Sequence, residues 1–212
     1  MICVSEEGEN SIAVAGGSND FLSRVDLAQA REAISGGAIM LVQLEVPLEA
    51  VEAAIELAVE NGVPVILNPA PAVPLPDSLL RKVSLLTPNE TECEILSGVK
   101  VTDEESALRG AEVLLAKGVK TVVMTLGKRG ALIASADLRQ WVPGYVVKAV
   151  DTTAAGDVFN GALAVSLAEG NALLESVQFA NAAAAISVTR FGAQTSVPLR
   201  GEILSFQVPH DE

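Results

Sequence analysis

The residues best placed to do chemistry lie at 151–161, in the run Asp-Thr-Thr-Ala-Ala-Gly-Asp-Val-Phe-Asn-Gly. An apolar, strand-like run (Tyr145, Val146, Val147, Ala149, Val150) leads into it, and a helix-like run at 158–167 leads out. Small residues at Ala154, Ala155 and Gly156 allow a tight turn. They also leave backbone N–H groups bare at the helix start, where unpaired amides and the helix dipole favour an anion. Asp157 stands inside that anion site. A carboxylate there repels a phosphate unless it has work to do, such as taking the proton from an attacking hydroxyl. The pattern points to phosphoryl transfer. A plainer reading makes Thr152 or Thr153 a helix cap and Asp157 a complement to the dipole.

Composition excludes much other chemistry. The single histidine, His210, sits in a polar tail, which rules out histidine triads and multi-histidine metal sites. Neither a Walker loop nor Gly-x-Gly-x-x-Gly occurs. With 27 acidic against 14 basic residues, a formal net charge of −13, the chain lacks the basic face that nucleic acid or an anionic membrane demands. A bound phosphate must meet local donors instead. Cys3 and Cys93 have no metal-like spacing and read as buried, reduced thiols. Apolar runs at 38–44 and 182–188 fall well short of a membrane span, and no leader pattern is visible. The expectation is a cytoplasmic protein with a sizeable core.

Positioning Asp157 takes an alternation of strands and helices. Apolar runs at 38–44, 63–67, 83–86 and 119–125 read as buried strands, and 27–34, 47–60, 78–82, 90–96 and 102–117 as helices. Pro47 suits a first helical turn, and Thr102 with Glu105 has the spacing of a capping box. This order implies a mostly parallel sheet with right-handed crossovers, an α/β class. Residues 1–15 read as a hairpin, 131–150 as antiparallel strands added at one edge, and 156–169, 173–189 and a stretch after Pro198 as helices.

In open α/β sheets ligands gather outside the carboxyl ends of the strands. Two further clusters fall there. Asn89 and Glu92 follow a strand and open a helix, for which Asn89 is a sufficient cap. In Thr125, Leu126, Gly127, Lys128, Arg129 and Gly130 two glycines flank two cations, a pattern that a basic hairpin turn also satisfies.

Asp-Thr-Thr-Ala-Ala-Gly-Asp resembles the C-terminal signature of the ribokinase (phosphofructokinase-B type) family of sugar kinases, which more often has glycine in place of Ala154. The departure is mild if that position does not need positive φ. The resemblance spans nearly the whole chain, and Asn68-Pro69-Ala70-Pro71-Ala72 with Gly192-Ala193-Gln194 favours ribokinase proper over fructokinases or nucleoside kinases. It implies a ribokinase-like three-layer sandwich with helices on both faces of the sheet. The activity implied is ATP-dependent phosphorylation of D-ribose to D-ribose 5-phosphate, with Asp157 as base and the amides of Ala155, Gly156 and Asp157 on the phosphoryl group. The resemblance places Asn89 near the phosphates and Glu92 near Mg²⁺ through its water shell. Residues 125–130 then line the nucleotide with Gly156, and Asn181 lies near the adenine or ribose of ATP, though a satisfied core asparagine explains Asn181 equally well. Asp151, Thr153, Ser187, Arg190, Gly192 and Ser196 match a segment that wraps a monovalent cation, K⁺, largely through backbone carbonyls. Glu45 matches a sugar-holding glutamate; in isolation it reads as a solvated strand-end carboxylate.

Family members carry roughly a further hundred residues before the point where this pattern starts, a full domain of the kind usually exceeding ~250 residues. The expectation is that the first strands of the sheet and most of a sugar-binding lid are missing, with 1–16 a remnant of the β lid and 17–212 the nucleotide-binding core. Two functions follow. One is a ribokinase-type enzyme acting on a small sugar. The other is a non-catalytic nucleotide-binding remnant, either homo-oligomeric or dependent on a separate N-terminal part.

Overall fold

Residues 2–4, 10–12 and 15–206 are described by the computed structural model, the first two stretches as backbone only. His210 and the Cys3 thiol lie outside that description. The chain divides into a helix unit (1–15, 127–130 and 142–212) and a sheet unit (16–126 and 131–141). In the helix unit, β1 (Ile2–Val4) pairs antiparallel with β2 (Asn10–Ile12), Ile2 opposite Ile12, within the expected hairpin.

The sheet unit begins with α1 (Arg24–Gln29) and α2 (Arg31–Ser35), two short helices where the periodicity predicts one. Ser23 and Asp26 close a capping box that starts α1 early, the Ser23 N–H donating to Asp26 Oδ2 at 2.9 Å; nothing in the side chains explains the break at Ala30. There follow β3 (Met40–Val42), α3 (Leu48–Glu60), β4 (Val65–Leu67), α4 (Asp77–Leu80), β5 (Leu85–Leu86), α5 (Glu90–Ser97), α6 (Glu104–Ala116), β6 (Thr121–Thr125), β7 (Ala131–Ser135) and β8 (Arg139–Val142). The sheet runs β3-β4-β5-β6-β7-β8, parallel from β3 to β6 and antiparallel between β6 and β7. This matches the expected α/β order with antiparallel strands added at one edge.

The cap of α6 falls one residue later than the spacing predicts. Asp103 Oδ1 accepts from the Ser106 N–H at 2.8 Å while Ser106 Oγ accepts from the Asp103 N–H at 3.0 Å. Thr102 and Asp103 are both good caps, but the Asp103 register puts the buried Ser106 at the position whose N–H the cap side chain accepts. Around the sheet, Val51, Ile55, Val65, Leu67, Leu80, Leu86, Leu114, Val122, Met124 and Leu132 form one apolar core. Truncating a fully buried leucine such as Leu114 to alanine costs about 2–5 kcal/mol.

In the helix unit, α7 (Ala155–Ala168) packs along α8 (Leu173–Ser187), and α9 (Arg200–Ser205) lies against α8. Ala180, Ala183 and Leu163 are almost wholly buried, and the small side chains of α8 let α7 approach closely. The run at 145–150, expected as a strand, is not one. Its last N–H groups turn to the end of α8, Val150 and Asp151 both donating to Val188 O, at 2.7 and 3.2 Å. Val146 stands 89% exposed, so an apolar, β-branched run has no sheet to join.

Candidate active site

Asp157 occupies the first turn of α7 and is exposed, as is Gly156. No side chain caps this helix. Ala154, the residue before it, holds φ +61°, the left-handed region, and is the one non-glycine residue with positive φ among the described residues. The departure from glycine is therefore not mild. An L-residue there bears a cost of roughly 1–2 kcal/mol that glycine avoids. The amides are also not all bare, because the Ala155 N–H donates to Thr152 O at 3.2 Å. Below them, Asn160 Nδ2 donates to Gly156 O at 2.9 Å and steadies the first turn from the buried side.

Of the residues expected around a monovalent cation, Asp151, Thr153 and Gly192 meet within the helix unit. Asp151 Oδ1 accepts from the Thr153 N–H and Asp151 Oδ2 from the Gly192 N–H, each at 2.9 Å. The Thr153 hydroxyl, then the Gly192 and Thr153 amides, hold the Asp151 carboxyl below the usual carboxylate range. Thr153 Oγ1 faces that carboxylate without meeting hydrogen-bond geometry with any described atom, and it is buried. Ser187 and Ser196 are buried and donate to Ala184 O and Ala193 O. Arg190 turns away into an ion pair with Glu202. Asn181 Nδ2 donates to Pro143 O at 3.3 Å, so the core-asparagine reading of this residue has a partner. Next to it the backbone is crowded: a Cβ on Gly130, which has φ +93°, would sit 2.1 Å from Val142 O.

Alongside Asp157, the same unit contains a cavity of about 440 Å³ lined mainly by apolar side chains, among them Val158, Val165, Phe179, Val197 and Ile203.

In the sheet unit, Asn89 caps α5 and Glu92 closes the box. Asn89 Oδ1 accepts from the Glu92 N–H and Glu92 Oε2 accepts from the Asn89 N–H, both at 2.8 Å. Burial pushes the Glu92 carboxyl up to about 7, against the opposing pull of the Asn89 amide. Thr125 N–H donates to Pro88 O at 2.9 Å, which ties the end of β6 to the turn before α5. Glu45 is exposed in a bend after β3. Asn89, Thr125 and Leu126 thus belong to the sheet unit, while Gly127, Lys128, Arg129, Gly130, Gly156 and Asn181 belong to the helix unit.

Sequence reasoning passed over an amide chain across the carboxyl ends of the strands. Gln43 Nε2 donates to Asn68 Oδ1 at 3.3 Å, and Asn68 Nδ2 donates to Thr87 O at 3.2 Å. Asn68 is buried. An amide ending an otherwise apolar strand run was the available signal.

Among the described residues no group of three or more His, Cys, Asp or Glu side chains could hold a metal ion, and no helix is long and apolar enough to cross a membrane. Residues 1–200 match the family model described as pfkB family carbohydrate kinase. A ribokinase of Haemophilus influenzae is 47% identical over 206 residues, 97% of this chain and 67% of that protein. The solved ribokinase of Thermotoga maritima superposes with a TM-score of 0.84 at 41% identity, over 96% of this chain and 67% of the other. That of Arabidopsis thaliana, complexed with ribose and ATP, gives 0.89 at 31% identity over 97% and 68%. The chain therefore spans about two thirds of the length of these relatives, and its α/β fold is theirs.

Proposed function

This chain belongs to the pfkB family of carbohydrate kinases, and we propose that it performs or contributes to ATP-dependent phosphorylation of the primary hydroxyl of D-ribose, giving D-ribose 5-phosphate. The observation that carries this reading is the uncapped start of α7, with Asp157 exposed in its first turn. Asp157 takes the proton of the attacking hydroxyl at a carboxylate oxygen. The amides of Gly156 and Asp157 point at the charge that develops on the phosphoryl group, and that of Ala155 joins them by giving up its bond to Thr152. In the helix unit, residues 127–130 and Asn181 are assigned to the nucleotide and Asp157 to the sugar; in the sheet unit, Asn89, Thr125 and Leu126 are assigned to the nucleotide and Glu45 to the sugar. Residues 1–16 correspond to part of a lid and 17–212 to the nucleotide-binding core.

Two ions suit the residues present. The buried Glu92 carboxylate, which belongs to no metal-holding group of three or more acids among the described residues, fits magnesium that keeps its waters and is held chiefly through phosphate. The buried Thr153 Oγ1, which meets hydrogen-bond geometry with no described atom, fits potassium together with the Asp151 carboxylate. When bound, magnesium neutralises phosphate charge and potassium screens the Asp151 loop.

A second reading is favoured by the cavity beside Asp157. Its apolar lining offers a sugar few hydrogen bonds and suits a covering polypeptide. Edge strand β3 has no strand neighbour on its outer side among the described residues, a second face open to pairing. On this reading the chain binds ATP but needs the part of its relatives that it does not match. A steady-state assay with ribose, with and without an added fragment corresponding to that part, separates the two. Family-like turnover by the chain alone removes the second reading; no stabilisation by Mg-ATP in either preparation removes both. Saturating ATP at 100 times its Kd is expected to stabilise by about 2.7 kcal/mol. Replacing potassium by sodium is expected to reduce that protection, and indifference to the swap removes the potassium site.

A further inference from the structure

Strands β4, β5 and β6 run parallel, so their first residues lie at one end of the sheet unit and the loops bearing Asn68, Asn89 and Thr125 at the other. At the amino ends is a cavity of about 280 Å³, walled by Gly62, Pro64, Arg81, Lys82, Ser84 and Lys120. Three cations line it and no carboxylate does. In a chain with 27 acidic and 14 basic residues, that convergence runs against the overall charge.

The cations are positioned as well as gathered. The Arg81 stem lies across Gly118, where an added Cβ would meet Arg81 Cγ at 2.3 Å, and Gly118 has φ +107°, so no other residue leaves that path open. Lys82 Nζ is held by Glu56 Oε1 at 2.8 Å. Neither Arg81 nor Lys120 makes a side-chain hydrogen bond or ion pair among the described residues. Ser84 Oγ accepts from the Val65 N–H at 3.3 Å, which leaves its own proton to donate. With Glu56 counted against the three cations, about two positive charges remain, the match of a phosphate dianion.

We propose that this cavity is a binding site for a small phosphate-bearing anion, either free phosphate or the phosphate group of a sugar phosphate. It lies at the end of the sheet unit opposite Asn89 and Thr125, and it stands whether or not the kinase reading does. At about 280 Å³ it falls just under the range of roughly 300–1,000 Å³ that encloses drug-sized ligands, which favours a small anion over a nucleotide. Arg81 supplies a planar fork of donors, and Lys82 and Lys120 supply mobile point charges.

The test is calorimetric titration of the whole chain with inorganic phosphate and, separately, ribose 5-phosphate. It is run at constant ionic strength with a non-hydrolysable Mg-ATP analogue saturating the nucleotide loops. Saturable one-to-one binding of either anion is expected. It should weaken at least about tenfold in Arg81→Ala/Lys120→Ala and less in Lys120→Ala alone, with both variants folded by circular dichroism. Binding of the sugar phosphate alone assigns that source, and equal binding of both assigns the phosphate group. If the double variant does not fold, Lys120→Glu, at an exposed position, carries the comparison. Affinity unchanged by the substitutions, or no saturable binding by the parent chain, overturns the site.

Discussion

Two helices of this protein begin after a turn and treat their first amides in opposite ways. At the start of α5, Asn89 and Glu92 exchange hydrogen bonds with each other's amides, and two orphan donors are sealed. At the start of α7 no side chain caps the helix, Ala154 is bent into the left-handed region, and Asp157 stands exposed in the first turn. A sealed start gives stability, and an open start keeps amides for a ligand. The sealed one also buries its carboxylate, and burial is what raises Glu92 to about 7.

The largest effect should come from the open start. Asp157→Asn, in an assembly that turns over, is expected to lower kcat by a factor on the order of 10²–10⁴ with ATP binding retained. Near-normal turnover would break the contrast at its functional end. The next effect belongs to the sealed start. Because Glu92 binds its proton more tightly folded than unfolded, its contribution is fully present below about pH 4.5 and is lost as pH rises through about 7. The loss amounts to as much as about 3 kcal/mol. Glu92→Gln, which keeps the acceptor for the Asn89 amide, should flatten stability over that window in urea unfolding. A variant with the parent's pH slope would show that Glu92 is not the titrating group. Asn89→Ala is expected to cost about 1 kcal/mol at all pH values. The smallest effect is at Ala154. Ala154→Gly relieves the backbone but frees the unfolded chain, so a net gain of about 0.5–1 kcal/mol is expected. Destabilisation by that change would mean that the Ala154 side chain has a packing role larger than its strain.

Strands and helices were largely legible because their signals are local. Apolar runs marked β3 to β6, Asn89 marked the start of α5, and the clustering of Ala154, Ala155, Gly156 and Asp157 marked the open turn. The errors fell where a remote partner or a competing neighbour decides. Residues 145–150 have strand composition, but a strand exists only when another strand accepts its hydrogen bonds, and here the N–H groups of Val150 and Asp151 go to the end of α8. The α6 cap moved from Thr102 to Asp103 because Ser106, once buried, needs its partner.

By itself the sequence determined the α/β alternation, the start of α5 at Asn89 and the small-residue turn before α7. Each depends on residues within about four positions, the span of a helical hydrogen bond or cap. Tertiary structure alone decided that Ala154 is left-handed, that Gly192 reaches the Asp151 carboxylate across 41 positions, and that Arg81, Lys82 and Lys120 meet around one cavity. Those arrangements depend on where the sheet and the packed helices bring distant backbone together, and no local spacing encodes that.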